Sequence, residues 1–123
     1  MALKYLLDEN VDHIYQTQLL LHNPDLVVLV VGGADAPPKR TLDPEILCWC
    51  EENDVVLVTN NRSTMPVHLA EHLAQGRHIP GILILNPKLS IGETIDELIL
   101  IADASFDEEY LDQIVNLPLP KLG

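Results

Sequence analysis

Lys4-Tyr5-Leu6-Leu7-Asp8-Glu9-Asn10 is the stretch on which the fold of this chain turns. Its apolar residues lie on both faces instead of alternating with polar ones, which marks a short strand buried on both sides. Strands of that kind belong to parallel sheets covered by helices, and chemistry in such sheets gathers outside the carboxyl ends of the strands. The run ends in two neighbouring carboxylates, Asp8 and Glu9. An acidic pair at that place is either a divalent-metal site or a helix N-cap with a spare charge.

Outward from this strand, helix-like and strand-like segments alternate. Residues 11–22 read as a helix, and 26–31 as a second, Val-rich strand closed by Gly32-Gly33. Residues 34–42 form a loop carrying Pro37-Pro38 and Lys39-Arg40. Asp43-Pro44-Glu45 then opens a helix to about residue 52, with Asp43 as N-cap, Pro44 at the first helical position and Glu45 in the first turn. Residues 55–59 are a third buried strand, 60–65 a polar loop, and 66–75 a helix stopped by Gly76. Residues 82–85 make a fourth strand. Residues 90–104 make a helix whose Ser90 and Glu93 have capping-box spacing. A last short helix is expected over 107–115, then an apolar, Pro-rich tail over 117–123. The alternation predicts one α/β domain over 1–116, with a mostly parallel four-stranded sheet between helix layers.

The net charge of −12 sets limits on function. Residues 1–89 hold 11 acids and 6 bases, residues 90–123 hold 8 acids and 1 base, so the excess concentrates in the last third. A chain this acidic is not a general binder of nucleic-acid backbone. Local contact with phosphate falls to Lys39, Arg40 and Arg62. The longest apolar stretch, 26–31, is too short to span a bilayer, and the N-terminal residues lack the pattern of a signal peptide, so a cytoplasmic location is expected. Cys48 and Cys50 sit two apart on a helix, point in different directions and read as reduced thiols.

The alternation brings the loops after Asp8, Gly32, Thr59 and Asn86 to one edge of the sheet. A hard dication such as Mg²⁺ or Mn²⁺ takes oxygen ligands, which Asp8, Glu9, Asp43 or Glu45 and the amides of Asn60 and Asn61 can offer there. His68-Leu69-Ala70-Glu71-His72 matches the H-x-x-E-H zinc pattern, but an exposed helix face explains it more simply. No Walker loop, G-x-G-x-x-G or G-x-S-x-G occurs. A phospho-acceptor receiver domain would need an Asp where Thr59-Asn60-Asn61 ends the third strand.

Three stretches together, Leu6-Leu7-Asp8-Glu9-Asn10-Val11, Leu42-Asp43-Pro44-Glu45-Ile46-Leu47 and Val56-Leu57-Val58-Thr59-Asn60-Asn61, resemble the small PIN-like domains of bacteria, including exonuclease-associated and toxin-type members. The resemblance covers roughly residues 3–86. It implies a PIN-like three-layer fold and a Mg²⁺- or Mn²⁺-dependent ribonuclease site, with RNA as substrate and an antitoxin protein or a second copy of the chain as partner. By position it makes Asp8 a metal ligand, Asp43 or Glu45 the second-helix acid, and Asn61 the occupant of a place where the family has Asp. A further acid of the family's segment is absent from Thr59-Asn60-Asn61-Arg62-Ser63-Thr64. Fewer negative charges around a divalent ion weaken its binding and its activation of water. The alternative expectation is therefore a PIN-like domain that has kept its fold, lost catalysis and acts through protein partners.

Overall fold

Short Val-, Leu- and Ile-rich runs that present apolar side chains on both faces are stable only between two helix layers, and that is their setting here. The computed structural model describes residues 3–106 and 108–119. Its elements are β1 (Lys4–Leu7), α1 (Ile14–His22), β2 (Val27–Val30), α2 (Asp43–Asn53), β3 (Val56–Thr59), α3 (Met65–Ala74), β4 (Ile82–Ile84), α4 (Ile91–Ala104) and β5 (Ile114–Asn116).

The sheet has five strands in the order β2-β1-β3-β4-β5, and every neighbouring pair is parallel. Leu7 lies opposite Val30 on one side and Val58 on the other, which brings the ends of β1, β2 and β3 level. Side chains alternate between two cores with the period of two that a strand imposes. Tyr5, Leu7, Val28, Val30, Val56, Val58 and Leu83 face one core, which α1 and α4 complete through Leu19, Ile95, Leu98 and Ile101. Leu6, Leu57, Ile82 and Ile84 face the other, completed by Ile46, Leu47 and Cys50 of α2 and Met65 and Leu69 of α3. The buried Tyr5 keeps its hydroxyl satisfied by donating to the Leu98 carbonyl at 2.7 Å.

Three expectations need correction. The sheet has five strands, not four, because 107–115 is not a helix: the described residues from 108 form turns and then β5. Glu108 and Asp112 have left-handed backbones (φ 65° and 60°) that a helix cannot continue. Asp112 is also fastened to Ile79, accepting its N–H at 2.9 Å and donating its own to the Ile79 carbonyl at 2.8 Å, which delivers the next residues to the edge of β4. α1 begins at Ile14 rather than Val11: Val11 is buried, and the Asp12 carboxylate accepts the Ile14 N–H at 3.0 Å. In α2, Leu42 occupies the N-cap position, while Asp43 and Pro44 open the first turn. The Asp43 carboxylate has turned away from the helix to other partners.

Leu117 is buried and donates its N–H to the Ile84 carbonyl at 3.0 Å, and Leu119 packs on the α1/α4 core. The rest of the tail, 120–123, lies outside the described residues. Among the described residues, no helix is long and apolar enough to cross a membrane.

Candidate functional site

In a sheet of this order, the chain leaves β1 towards β2 at one edge and leaves β3 towards β4 on the other side, so the connections part at the β1/β3 boundary. A crevice opens at the carboxyl ends of the strands there. Asp8 is the first residue past β1, and its N–H still donates to the Val58 carbonyl at 2.9 Å, so its side chain is fixed at the end of the ladder. The Thr59 hydroxyl, buried at the end of β3, donates to Asp8 Oδ2 at 2.8 Å and accepts the Asn61 N–H at 3.0 Å. Asp8 Oδ1 accepts the N–H of Glu9 at 2.8 Å. Both carboxylate oxygens are thus oriented by one donor each and keep further acceptor capacity.

Asn61 carries the connection across to α2. Its Nδ2 donates to Asp43 Oδ2 at 3.0 Å and to Thr64 Oγ1 at 2.6 Å, while its Oδ1 accepts the Thr64 N–H at 3.1 Å. A carboxylate only accepts and a backbone N–H only donates, so these partners fix which end of the amide faces Asp43. His68 Nε2 stands 3.6 Å from the same Asp43 oxygen, and His68 Nδ1 is enclosed without a hydrogen-bond partner. Beneath the cluster, burial, and after it the charge of Asp8, pushes the Cys50 thiol well above its usual range.

Asp8, Asp43 and Asn61 are therefore brought together, through Thr59. The other candidates take separate places. Glu9 accepts the Arg40 N–H at 2.5 Å, which ties the 39–40 turn to the end of β1. Glu45 is exposed on the first turn of α2. Lys39 lies with its alkyl stem across Gly32. The Arg62 guanidinium donates to the Leu85 carbonyl at 3.2 Å. Asn60 donates to the Asn10 carbonyl at 3.2 Å. The histidines of the H-x-x-E-H stretch part company, and the exposed face expected there is corrected for His72. It is buried, donates from Nε2 to the His78 carbonyl at 2.8 Å and faces Glu51 Oε1 at 3.2 Å. Among the described residues, no group of three or more His, Cys, Asp or Glu side chains could hold a metal ion.

Sequence reasoning drew Thr59 into the site with Asn60 and Asn61 but not as the organiser of Asp8, and it passed over His68 as a neighbour of Asp43. A buried Thr closing a run of Val and Leu was the available signal for the first. His68 had none, since its approach to Asp43 depends on the packing of α3 against α2.

The donor set suits a hard dication only through two carboxylates completed by water, the way Mg²⁺ is commonly held. Asp8 and Asp43 offer oxygens of the right type, and no donor among the described residues engages Asp43 Oδ1. No family model, curated protein or solved structure matches the chain.

Proposed function

We propose that the crevice at the ends of β1 and β3 is a Mg²⁺- or Mn²⁺-dependent ribonuclease site of PIN-like type, with Asp8 and Asp43 as its metal-holding carboxylates. The observation that carries this reading is the chain of contacts from Asp8 through Thr59 and Asn61 to Asp43. It holds two acids, from different elements, at the one crevice the sheet order creates. When bound, the ion supplies an activated water and stabilises charge on the phosphoryl group. The chain's own residues hold and aim the ligands: Thr59 orients Asp8, and Asn61 orients Asp43. Arg40 and Arg62 stand on the flanking loops as cations for phosphate.

Titration calorimetry of Mn²⁺, with cleavage assays on structured RNAs, tests this in the wild type, Asp8→Asn and Asp43→Asn. Binding and cleavage that are present in the wild type and lost in both variants support it. Absence of heat from the wild type at millimolar Mn²⁺ overturns it.

One observation favours a second reading, a PIN-like domain without catalysis that acts through protein partners. The Asn61 NH₂ group donates to Asp43, at a place where the resemblance would put a third acid. A neutral donor there satisfies Asp43 with no cation. Under this reading the wild type binds no Mn²⁺ and Asn61→Asp gains binding.

A further inference from the structure

Two hollows of similar size open on opposite ends of the sheet, and their linings differ in charge. One, about 400 Å³, lies at the amino ends of the strands, where Glu51, Asp54, Glu108 and Glu109 outnumber Lys4 and His78 in its lining. The other, about 420 Å³, lies at the end of β2 and has no acidic residue in its lining, although the chain carries −12 overall. Its polar side chains are Lys39, His13 and Gln16, and its apolar lining comes from the half-buried Leu29 and from the chain at 30–34, since the Val30 and Val31 side chains are buried in opposite cores.

Lys39 is positioned there by backbone geometry. Gly32 has φ +90°, and a Cβ on it would stand 2.6 Å from Lys39 Cγ and 3.1 Å from Cε. Only glycine lets the lysine stem lie across the chain at that point. The adjoining turn is fastened twice: Arg40 donates its N–H to Glu9, and Gly32 donates its own to the Pro37 carbonyl at 2.7 Å. Lys39 has no ion-pair partner among the described residues. Gln16 is already committed, donating to the Val28 carbonyl at 2.8 Å. At the start of α1 the Asp12 carboxylate and carbonyl accept the Ile14 and Tyr15 N–H groups, and the charge that attracts an anion comes from Lys39, with His13 beside it.

The hollow also adjoins the candidate active site. Val30 pairs with Leu7, the residue before Asp8, and Val31 donates its N–H to the Leu7 carbonyl at 3.0 Å. Neighbouring strands lie about 4.8 Å apart, so an extended strand of nucleic acid engaged near Asp8 has its adjacent unit at this hollow.

The geometry points to a nucleotide subsite at the end of β2, in which Lys39 receives a phosphate and Leu29 with the exposed chain at 32–34 receives the sugar and base. The volume is in the range of small-ligand pockets, about 300–1,000 Å³. One cation in a partly apolar hollow of this size fits a phosphate-bearing ring system better than inorganic phosphate. This assignment rests on the ribonuclease reading for its source, an RNA strand, and its test is chosen to stand apart from that reading.

The test follows amide resonances of the whole chain on titration with uridine 5′-monophosphate, inorganic phosphate and a short oligouridine, in EDTA. The expected result is shifts centred on residues 29–34 and 39, tighter for the nucleotide than for phosphate and tightest for the oligonucleotide. Lys39→Gln weakens them about tenfold, the effect of losing one charge-assisted hydrogen bond. Lys39→Arg retains them, and Lys4→Gln, at the opposite end of the sheet, leaves them unchanged. A nucleotide that shifts nothing at these residues, or that binds Lys39→Gln as well as the wild type, overturns the subsite. Setting these titrations beside the Mn²⁺ titration of the wild type separates the two readings. Nucleotide binding alongside absent Mn²⁺ binding in the wild type upholds the subsite and removes the nuclease. Mn²⁺ binding and RNA cleavage with no nucleotide shifts do the reverse. Free nucleotide binding as tightly as the oligonucleotide overturns RNA as the source.

Discussion

Asn61 uses its amide in both directions, its nitrogen towards Asp43 and Thr64 and its oxygen towards the Thr64 N–H. Replacing it by Asp keeps the shape and the acceptor but turns the donor facing Asp43 into a second negative charge. Asn61→Asp is therefore expected to lower the melting temperature in EDTA, at a cost of about 1–3 kcal/mol for the lost buried-side donor. Millimolar Mn²⁺ is expected to restore it, because a cation then bridges the two carboxylates. Differential scanning calorimetry with and without metal reads both halves, and a variant as stable as the wild type in EDTA would show that Asn61 does not face Asp43. That a polar turn ends β3 could be read from Thr59-Asn60-Asn61, since these residues favour turns by local chemistry. The direction of the amide could not, because it is set by Asp43, 18 positions away. Asp43 misled for the same reason: Asp before Pro at a helix start signals an N-cap, yet its carboxylate finds stronger partners across the crevice in Asn61 and His68.

Among the elements, α4 was the most legible. Ser90 accepts the Glu93 N–H at 3.1 Å, and Glu93 Oε1 accepts the Ser90 N–H at 3.0 Å, the reciprocal pair that the spacing predicts. Ser90→Ala should cost about 1 kcal/mol in a denaturant titration, without altering the slope, since the surface exposed on unfolding is unchanged. The fifth strand was the least legible. It has three residues, all half-buried or exposed, too few to display a period, and an acidic start at 107–109 resembles the first turn of a helix. What makes it a strand is distant. Gly81, with φ +156°, passes close beneath Tyr110: a Cβ there would stand 2.8 Å from the Tyr110 Cβ. Gly81→Ala is expected to push the 110–112 turn outwards, cost about 1–3 kcal/mol, and speed amide exchange at residues 114–116 more than in β1 or β3. Equal protection at β5 in the variant would show that the close passage is not what seats the strand.

At the scale of the molecule, an ionic network joins α2, the α3–β4 connection and the turn before β5. Glu51 accepts from Arg77 Nε at 2.9 Å and from the His78 N–H at 3.1 Å, and His78 Nδ1 meets Asp112 Oδ2 at 2.8 Å. The hydrogen bond from Arg77, and after it that from the His78 N–H, holds Glu51 below its usual range. The hydrogen bond to Asp112, and after it the carboxylate's charge, raises His78 above its ordinary 6.5. Burial pushes the Asp112 carboxyl up, but the His78 and Ile79 hydrogen bonds outweigh it and hold the group below its ordinary 3.8. For His78 the contribution to stability is complete below pH 6.5 and fades as pH climbs through the raised value. For Asp112 it is complete above pH 3.8 and fades as pH falls through the lowered one. The pair thus contributes most between about pH 4 and 6.5. In His78→Gln the loss of stability on going from pH 6 to 8 should be smaller than in the wild type, as thermal melts across that range will show. An equal loss would place the dependence elsewhere. At this scale the parallel sheet between helix layers was readable from the alternation of segments alone, while the strand count was not, because β5 is defined by what it covers. That arrangement has a consequence during synthesis. β4 emerges with its outer edge bare, and residues 114–116, which close it, follow only after all of α4 has been made. An open apolar edge is a template for pairing with other chains. The pace of translation through residues 85–113, more than the stability of the finished protein, therefore sets how long each nascent chain is exposed to aggregation.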